Sequence, residues 1–179
     1  AFSNPQNTFP KVDDEPFSIE AIGLGHPLIN REKRVNNEFT FKGKGGICLI
    51  TGSNMSGKST FLRTLGVNMV LAQAGAPVCA DFMKFSITQV FTSMRTKDEL
   101  EENVSSFYAE LKRLKKLLDS INDQVPTLFM IDEVLKGTNS EDRHKGAISL
   151  IKQLNSAYAF GLVSTHDLVL GSLANQLNG

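Results

Sequence analysis

One short stretch constrains this chain more than any other. Gly52-Ser53-Asn54-Met55-Ser56-Gly57-Lys58-Ser59 fits the pattern GxxxxGK[ST], and it stands between an apolar run, Ile47 to Thr51, and a helical stretch from Lys58 to about Ala74. Strand, glycine-rich loop and helix in that order is the context in which the pattern has a physical meaning. Glycines let the backbone curl until successive N–H groups point at phosphate oxygens, the helix N-terminus adds a favourable dipole, and Lys58 brings a point charge to the outer phosphates. Ser59 is placed to hold Mg2+. The expected fold is therefore an α/β phosphate-loop domain for a nucleoside triphosphate.

The rest of the chain agrees with that class. Phe17, Ile19, Ala21 and Leu24 alternate with polar or small residues, Glu38 to Phe41 does so again, and both read as early antiparallel strands before the glycine-rich Lys42 to Gly46. Ile47 to Thr51 is expected to be a strand buried on both faces, and Val90 to Met94 is another strand. From Ser105 to Ile121 the residues Phe107, Leu111, Leu114, Leu118 and Ile121 recur at helical spacing, with Lys112, Arg113, Lys115 and Lys116 on the polar face. That face is read as solvated. Thr127 to Ile131 and Tyr158 to Ser164 are further buried strands, and Asp142 to Leu154 and Asp167 to Leu177 are helices. Strands alternating with helices imply a largely parallel central sheet with helices on both faces, beside an antiparallel N-terminal strand region. Residues 1–16, with Pro5, Pro10 and Pro16, read as an irregular lead-in or linker, and 17–179 as one domain.

Composition excludes several classes. The 179 residues are 41% hydrophobic, enough for a core that needs no disulfide or metal staple. Nineteen Lys and Arg balance nineteen Asp and Glu, so this piece lacks the basic excess of a free-standing nucleic-acid binder. No apolar run approaches membrane-spanning length, so no membrane contact is expected. The chain opens Ala1-Phe2-Ser3 without a secretion signal and is read as cut from a longer protein. Cys48 and Cys79 are expected to be buried thiols in a reducing, cytoplasmic compartment.

A second motif follows the loop. Thr127-Leu128-Phe129-Met130-Ile131 ends in Asp132-Glu133. Phosphoryl transfer needs positioning and charge neutralisation more than covalent help, so the first acid supports Mg2+ and the second orients and polarises the attacking water. Two adjacent acids favour water as the nucleophile, hence hydrolysis. Ser164-Thr165-His166 closes the third apolar run at the edge where parallel sheets bind ligands, and His166 there can reach the terminal phosphate or the water. His26 and His144 lack such a setting.

These residues closely resemble a family. Thr51 to Thr60, with its Asn54-Met55 pair, is similar to the phosphate loop of the MutS family of DNA mismatch-repair ATPases. Asp98-Glu99-Leu100 and Ser105-Ser106-Phe107-Tyr108-Ala109-Glu110 resemble that family's DDL and STF..E segment. Gly25-His26-Pro27 resembles its HP element, Asp132-Glu133 to Gly137-Thr138 its DE..GT run, and Ser164-Thr165-His166 its ATH. The resemblance implies an ABC-type ATPase using ATP and Mg2+ and working as a dimer. Each nucleotide would lie between the loop Gly52, Ser53, Asn54, Met55, Ser56, Gly57, Lys58, Ser59 and Thr60 of one copy and Ser105 of the other. Catalysis is then assigned to Glu133, His166 and Asn54, with Mg2+ held by Ser59 and Asp132. ATP state would be coupled to mismatched or branched DNA held by domains N-terminal to this piece.

The sequence also departs from the family pattern. Glu101-Glu102-Asn103-Val104 replaces a small, Gly- and Arg-bearing stretch, Leu135 and Lys136 stand where Gly and Arg are usual, and no aromatic lies around Arg34 and Val35, where the family stacks adenine. Two other readings stay open: a nucleotide-switched scaffold with little hydrolysis, and an ABC-type ATPase acting on a non-DNA partner.

Overall fold

The computed structural model describes residues 7–53, 55–94, 103–122, 124–134 and 140–165. Among the described residues eight strands and three helices follow one another: β1 (Lys11–Val12), β2 (Ser18–Leu24), β3 (Asn37–Lys42), β4 (Ile47–Thr51), α1 (Lys58–Gln73), β5 (Phe82–Phe85), β6 (Gln89–Ser93), α2 (Asn103–Ser120), β7 (Thr127–Asp132), α3 (Ser140–Ser156) and β8 (Ala159–Thr165). They form two four-stranded sheets. One has the order β1-β5-β2-β3, with β2 antiparallel to both neighbours and β1 parallel to β5. The other, β4-β8-β7-β6, is parallel throughout.

Burial explains why the parallel strands read as continuous apolar runs. Every residue of β7 and β8 is buried, because the parallel sheet is covered on both faces. Leu128, Met130, Phe160 and Leu162 face one core, shared with Leu62, Leu65 and Met69 of α1 and with Ile19, Ala21, Met83 and Phe85 of the mixed sheet. Phe129, Ile131 and Val163 face a second core built by Leu114 and Leu117 of α2 and Ala147, Leu150 and Leu154 of α3. The first helix thus lies on one side of the parallel sheet and the other two on the opposite side.

Four expectations need correction. β4 is an edge strand and only half-buried, because β8, not β4, occupies the position between two partners. Leu111 is 41% exposed, while Leu117 is fully buried. The other members of the expected stripe, Phe107, Leu114, Leu118 and Ile121, do pack in the second core, and Leu117 joins them. Phe82–Phe85 is a strand that the reading above passed over. Within the supposedly irregular residues 1–16, Thr8 bridges Val78 and β1 pairs with β5. Asp13 follows β1 and is buried, accepting from the Ser18 hydroxyl at 2.6 Å and pairing with Lys84 at 2.9 Å. The helix expected over Asp167 to Leu177 lies outside the described residues.

Candidate functional site

The glycine-rich loop runs from the end of β4 into α1. Its backbone takes positive φ at Gly52 (154°), Met55 (67°) and Gly57 (93°). Gly57 is the residue just before the helix, in a left-handed conformation that a Cβ would disfavour, and it offers no side-chain cap. The N–H groups of the first helical turn cannot be satisfied within the helix itself, so this end is suited to an anion. Phe61 N–H makes the first intrahelical bond, to Gly57 O at 2.9 Å. Lys58 is only 8% exposed, and its Nζ donates to Gly52 O at 2.7 Å and Ser53 O at 2.8 Å. The ammonium group is therefore folded over the loop.

A cavity of about 510 Å³ opens beside this loop. Gly52, Ser56, Gly57, Lys58 and Thr60 line one end. The other wall comes from the turn after β2 and from α1: His26, Ile29, Lys33, Arg34, Val35 and Phe61. A volume in this range suits a ligand of nucleotide size. The Arg34 guanidinium is held from two sides, with Nε donating to Asn36 Oδ1 at 3.0 Å and Nη1 to Cys79 Sγ at 2.7 Å. Burial pushes the Cys79 thiol above its ordinary value, against the opposing pull of Arg34. The wall is tied to the loop helix by Asn68, whose side chain is fully buried. Its Nδ2 donates to Gly25 O at 3.0 Å and Thr64 O at 2.8 Å, and its Oδ1 accepts from Cys79 N–H at 2.8 Å.

The two acids stand one strand beyond β8. Ile50 and Asp132 are both in register with Ser164, so β8 separates the loop strand from the acid strand at a common edge of the sheet. At ordinary strand spacing, Asp132 is about 10 Å from the end of β4. Registered residues of a parallel sheet point to one face, and Asp132 shares the side of Met130 and Leu128, towards α1. Asp132 is 9% exposed and Oδ1 accepts from the Ser164 hydroxyl at 2.6 Å. Glu133, at φ 58°, has left the strand, and its N–H donates to the same hydroxyl at 3.0 Å.

The structure therefore brings Gly52, Ser56, Gly57, Lys58 and Thr60 to one cavity and sets Asp132 and Glu133 at the same sheet edge. Ser59 lies half-buried at the start of α1, and Met55 is fully exposed on the loop. Asn54 and His166 lie outside the described residues, as does the side chain of Ser105 at the start of α2. Of the cavity wall, His26 and the Arg34–Val35 stretch are marked in the sequence only through the family resemblance, and Phe61, one turn after Lys58, is the residue that sequence reasoning missed. The signal for Phe61 was its spacing, since a residue three positions into a helix shares a face with the loop.

A glycine-rich loop between a parallel strand and a helix, opening on a cavity of about 510 Å³, belongs to a domain of the α/β class. Comparison with known proteins then gives the lineage. Residues 48–179 match the family model of MutS domain V, and the chain belongs to the MutS family. It is 37% identical over 149 residues to MutS protein homolog 4 of Mus musculus, covering 81% of this chain and 15% of that protein. It is 33% identical over 177 residues to the DNA mismatch repair protein MutS of Haloquadratum walsbyi, covering 94% and 18%. Endonuclease MutS2 of Thermus thermophilus is 32% identical over 155 residues, with 86% and 20% covered. The chain thus spans a fifth or less of the length of these relatives. No helix among the described residues is long and apolar enough to cross a membrane.

Proposed function

We propose that this chain is an ABC-type ATPase domain that binds and hydrolyses ATP and, in the whole protein, couples nucleotide state to mismatched or branched DNA. The observation that carries the reading is the cavity into which Lys58, Gly57 and the first turn of α1 project, walled on its far side by His26, Arg34 and Phe61. The loop end suits phosphates, and the far end, with an aromatic ring, an imidazole and aliphatic side chains, suits a base. Ser59 would offer a hydroxyl and Asp132 a carboxylate, hard oxygen donors of the kind that suit Mg2+. When bound, Mg2+ would supply charge neutralisation for the outer phosphates. Lys58 holds those phosphates, and Glu133 takes a proton from the attacking water while turning it towards them. His166 and Asn54 are assigned to the same water and phosphate, and Ser105 to the nucleotide of a second copy. The DNA role is proposed from the relatives named for mismatch repair, and DNA would be met through parts of the protein beyond this chain.

The test is ATP hydrolysis by the full-length protein with homoduplex, mismatched and branched DNA, using Glu133→Gln as the blank. Mg2+-dependent turnover raised by one DNA form is expected. Turnover indifferent to all three would remove the DNA coupling, and nucleotide binding without turnover would favour a nucleotide-switched scaffold.

A further inference from the structure

The hydroxyl of Ser164 touches both acids at once, and the chemistry of its partners fixes the direction of each bond. Glu133 N–H can only donate, so the hydroxyl accepts it, at 3.0 Å. The hydroxyl proton is then available to Asp132 Oδ1, at 2.6 Å. Asp132 Oδ1 accepts that proton, so one hydroxyl serves both contacts in a consistent direction. Ser164 is fully buried, so water does not compete for either contact. Glu133 needs such a hold, because its φ of 58° is a conformation that residues with side chains rarely adopt. That angle decides where the Glu133 carboxylate goes relative to Asp132. Ser164 also sits on β8, in register with Ile50 just before the phosphate loop, so the geometry of both acids is referred to the strand that carries the loop.

We infer that Ser164 is a positioning residue for hydrolysis: its single hydroxyl orients the Asp132 carboxylate and holds the Glu133 turn in the conformation that presents the general base. This rests on the ATPase reading above. Ser164 acts through the two acids, so its removal changes the chemical step more than nucleotide binding, which is carried by Lys58 and the loop.

The experiment compares wild type, Ser164→Ala and Ser164→Thr in the full-length protein. Each is measured for kcat, for binding of labelled ATP with Mg2+, and for hydrogen–deuterium exchange of the peptide covering residues 130–134. Misplacing a catalytic group by about 1 Å costs about a hundredfold, so Ser164→Ala is expected to lose between about tenfold and a hundredfold in kcat. Its ATP affinity should stay within about threefold, since the phosphate contacts are untouched. Loss of one hydrogen bond should speed exchange in the 130–134 peptide by about tenfold. Ser164→Thr keeps the oxygen and should recover most of the lost kcat. In a Glu133→Gln background Ser164→Ala should cost clearly less than in wild type, because one of the two groups it positions is already gone. Unchanged kcat in Ser164→Ala, an equal loss in the Glu133→Gln background, or a loss of affinity as large as the loss of kcat would each overturn the inference. Exchange reads the Glu133 contact without turnover, so unchanged exchange overturns it even if kcat falls. Accelerated exchange in a protein whose wild type hydrolyses no ATP would overturn the ATPase reading, leaving the hydroxyl as an anchor of the turn alone.

Discussion

Asn68 offers the sharpest stability prediction. It is fully buried in the middle of α1, and its amide serves three backbone groups on three segments: Gly25 O, Thr64 O and Cys79 N–H. Asn68→Ala leaves Gly25 O and Cys79 N–H without that partner. A buried polar group left unsatisfied costs about 1–3 kcal/mol, so the two together predict a loss of about 2–6 kcal/mol. For a domain of this size each kcal/mol moves Tm by about 2–4 °C, giving a fall between about 4 and 24 °C. Urea unfolding should show a lower midpoint at unchanged slope. Asn68→Asp separates the polar account from simple loss of volume. It keeps an acceptor for Cys79 N–H but sets a carboxylate against the oxygens of Gly25 and Thr64, so it should be at least as damaging near neutral pH. It should recover in part at low pH, where the protonated acid can donate again. A loss below about 1 kcal/mol in Asn68→Ala, the level of an ordinary surface change, would refute the reasoning, as would an Asp variant of wild-type stability at pH 7.

Other outcomes follow from the same geometry. Lys58→Ala should weaken ATP binding by about tenfold to a hundredfold, the value of a charge-assisted hydrogen bond, whereas Glu133→Gln should keep binding while hydrolysis falls by about 10²- to 10⁴-fold; equal loss of binding in both would defeat the division of roles. Phe61→Ala should weaken ATP by about tenfold, the scale of base–aromatic stacking, without affecting inorganic tripolyphosphate, and competition assays against labelled ATP would read both. The Ser18 hydroxyl, followed by Lys84, holds the Asp13 carboxyl at about 2, down from its ordinary 3.8. A depressed carboxylate stabilises the fold above its unfolded value, and that contribution is lost as pH falls through the folded one. Denaturation midpoints should therefore drop between about pH 4 and about pH 2, and Asp13→Asn should flatten that part of the profile.

Legibility in the sequence followed the range of the forces involved. β4, α1, β7 and β8 were readable to within a residue or so because each carries its own pattern: a short continuous apolar run for the strands, or a glycine stop before the helix. β1 was not, since Lys11–Val12 is a strand only by virtue of β5 beside it. β5 did carry the alternation, Met83 and Phe85 inward and Phe82 and Lys84 half-exposed, but over four residues that signal is weak. The edge position of β4 depends on which strand β8 chooses as neighbours, a long-range outcome that local periodicity does not contain. The cavity divides in the same way. Its loop end is one continuous segment and was readable, whereas its far wall joins His26, Arg34 and Phe61 through contacts made by Asn68 and Cys79 across distant parts of the chain.

The central place of β8 has a consequence for how this domain is made. It is the last strand of the described chain, yet it lies between β4 and β7 and pairs with both along their lengths. During synthesis the strand carrying the phosphate loop emerges long before the strand it must pair with, so the parallel sheet closes only when residues 159–165 are released. Such long-range closure is intrinsically slow. Until then the acid strand and the loop strand have no common neighbour. A ligand that binds only the closed sheet would therefore draw the chain towards completion by mass action.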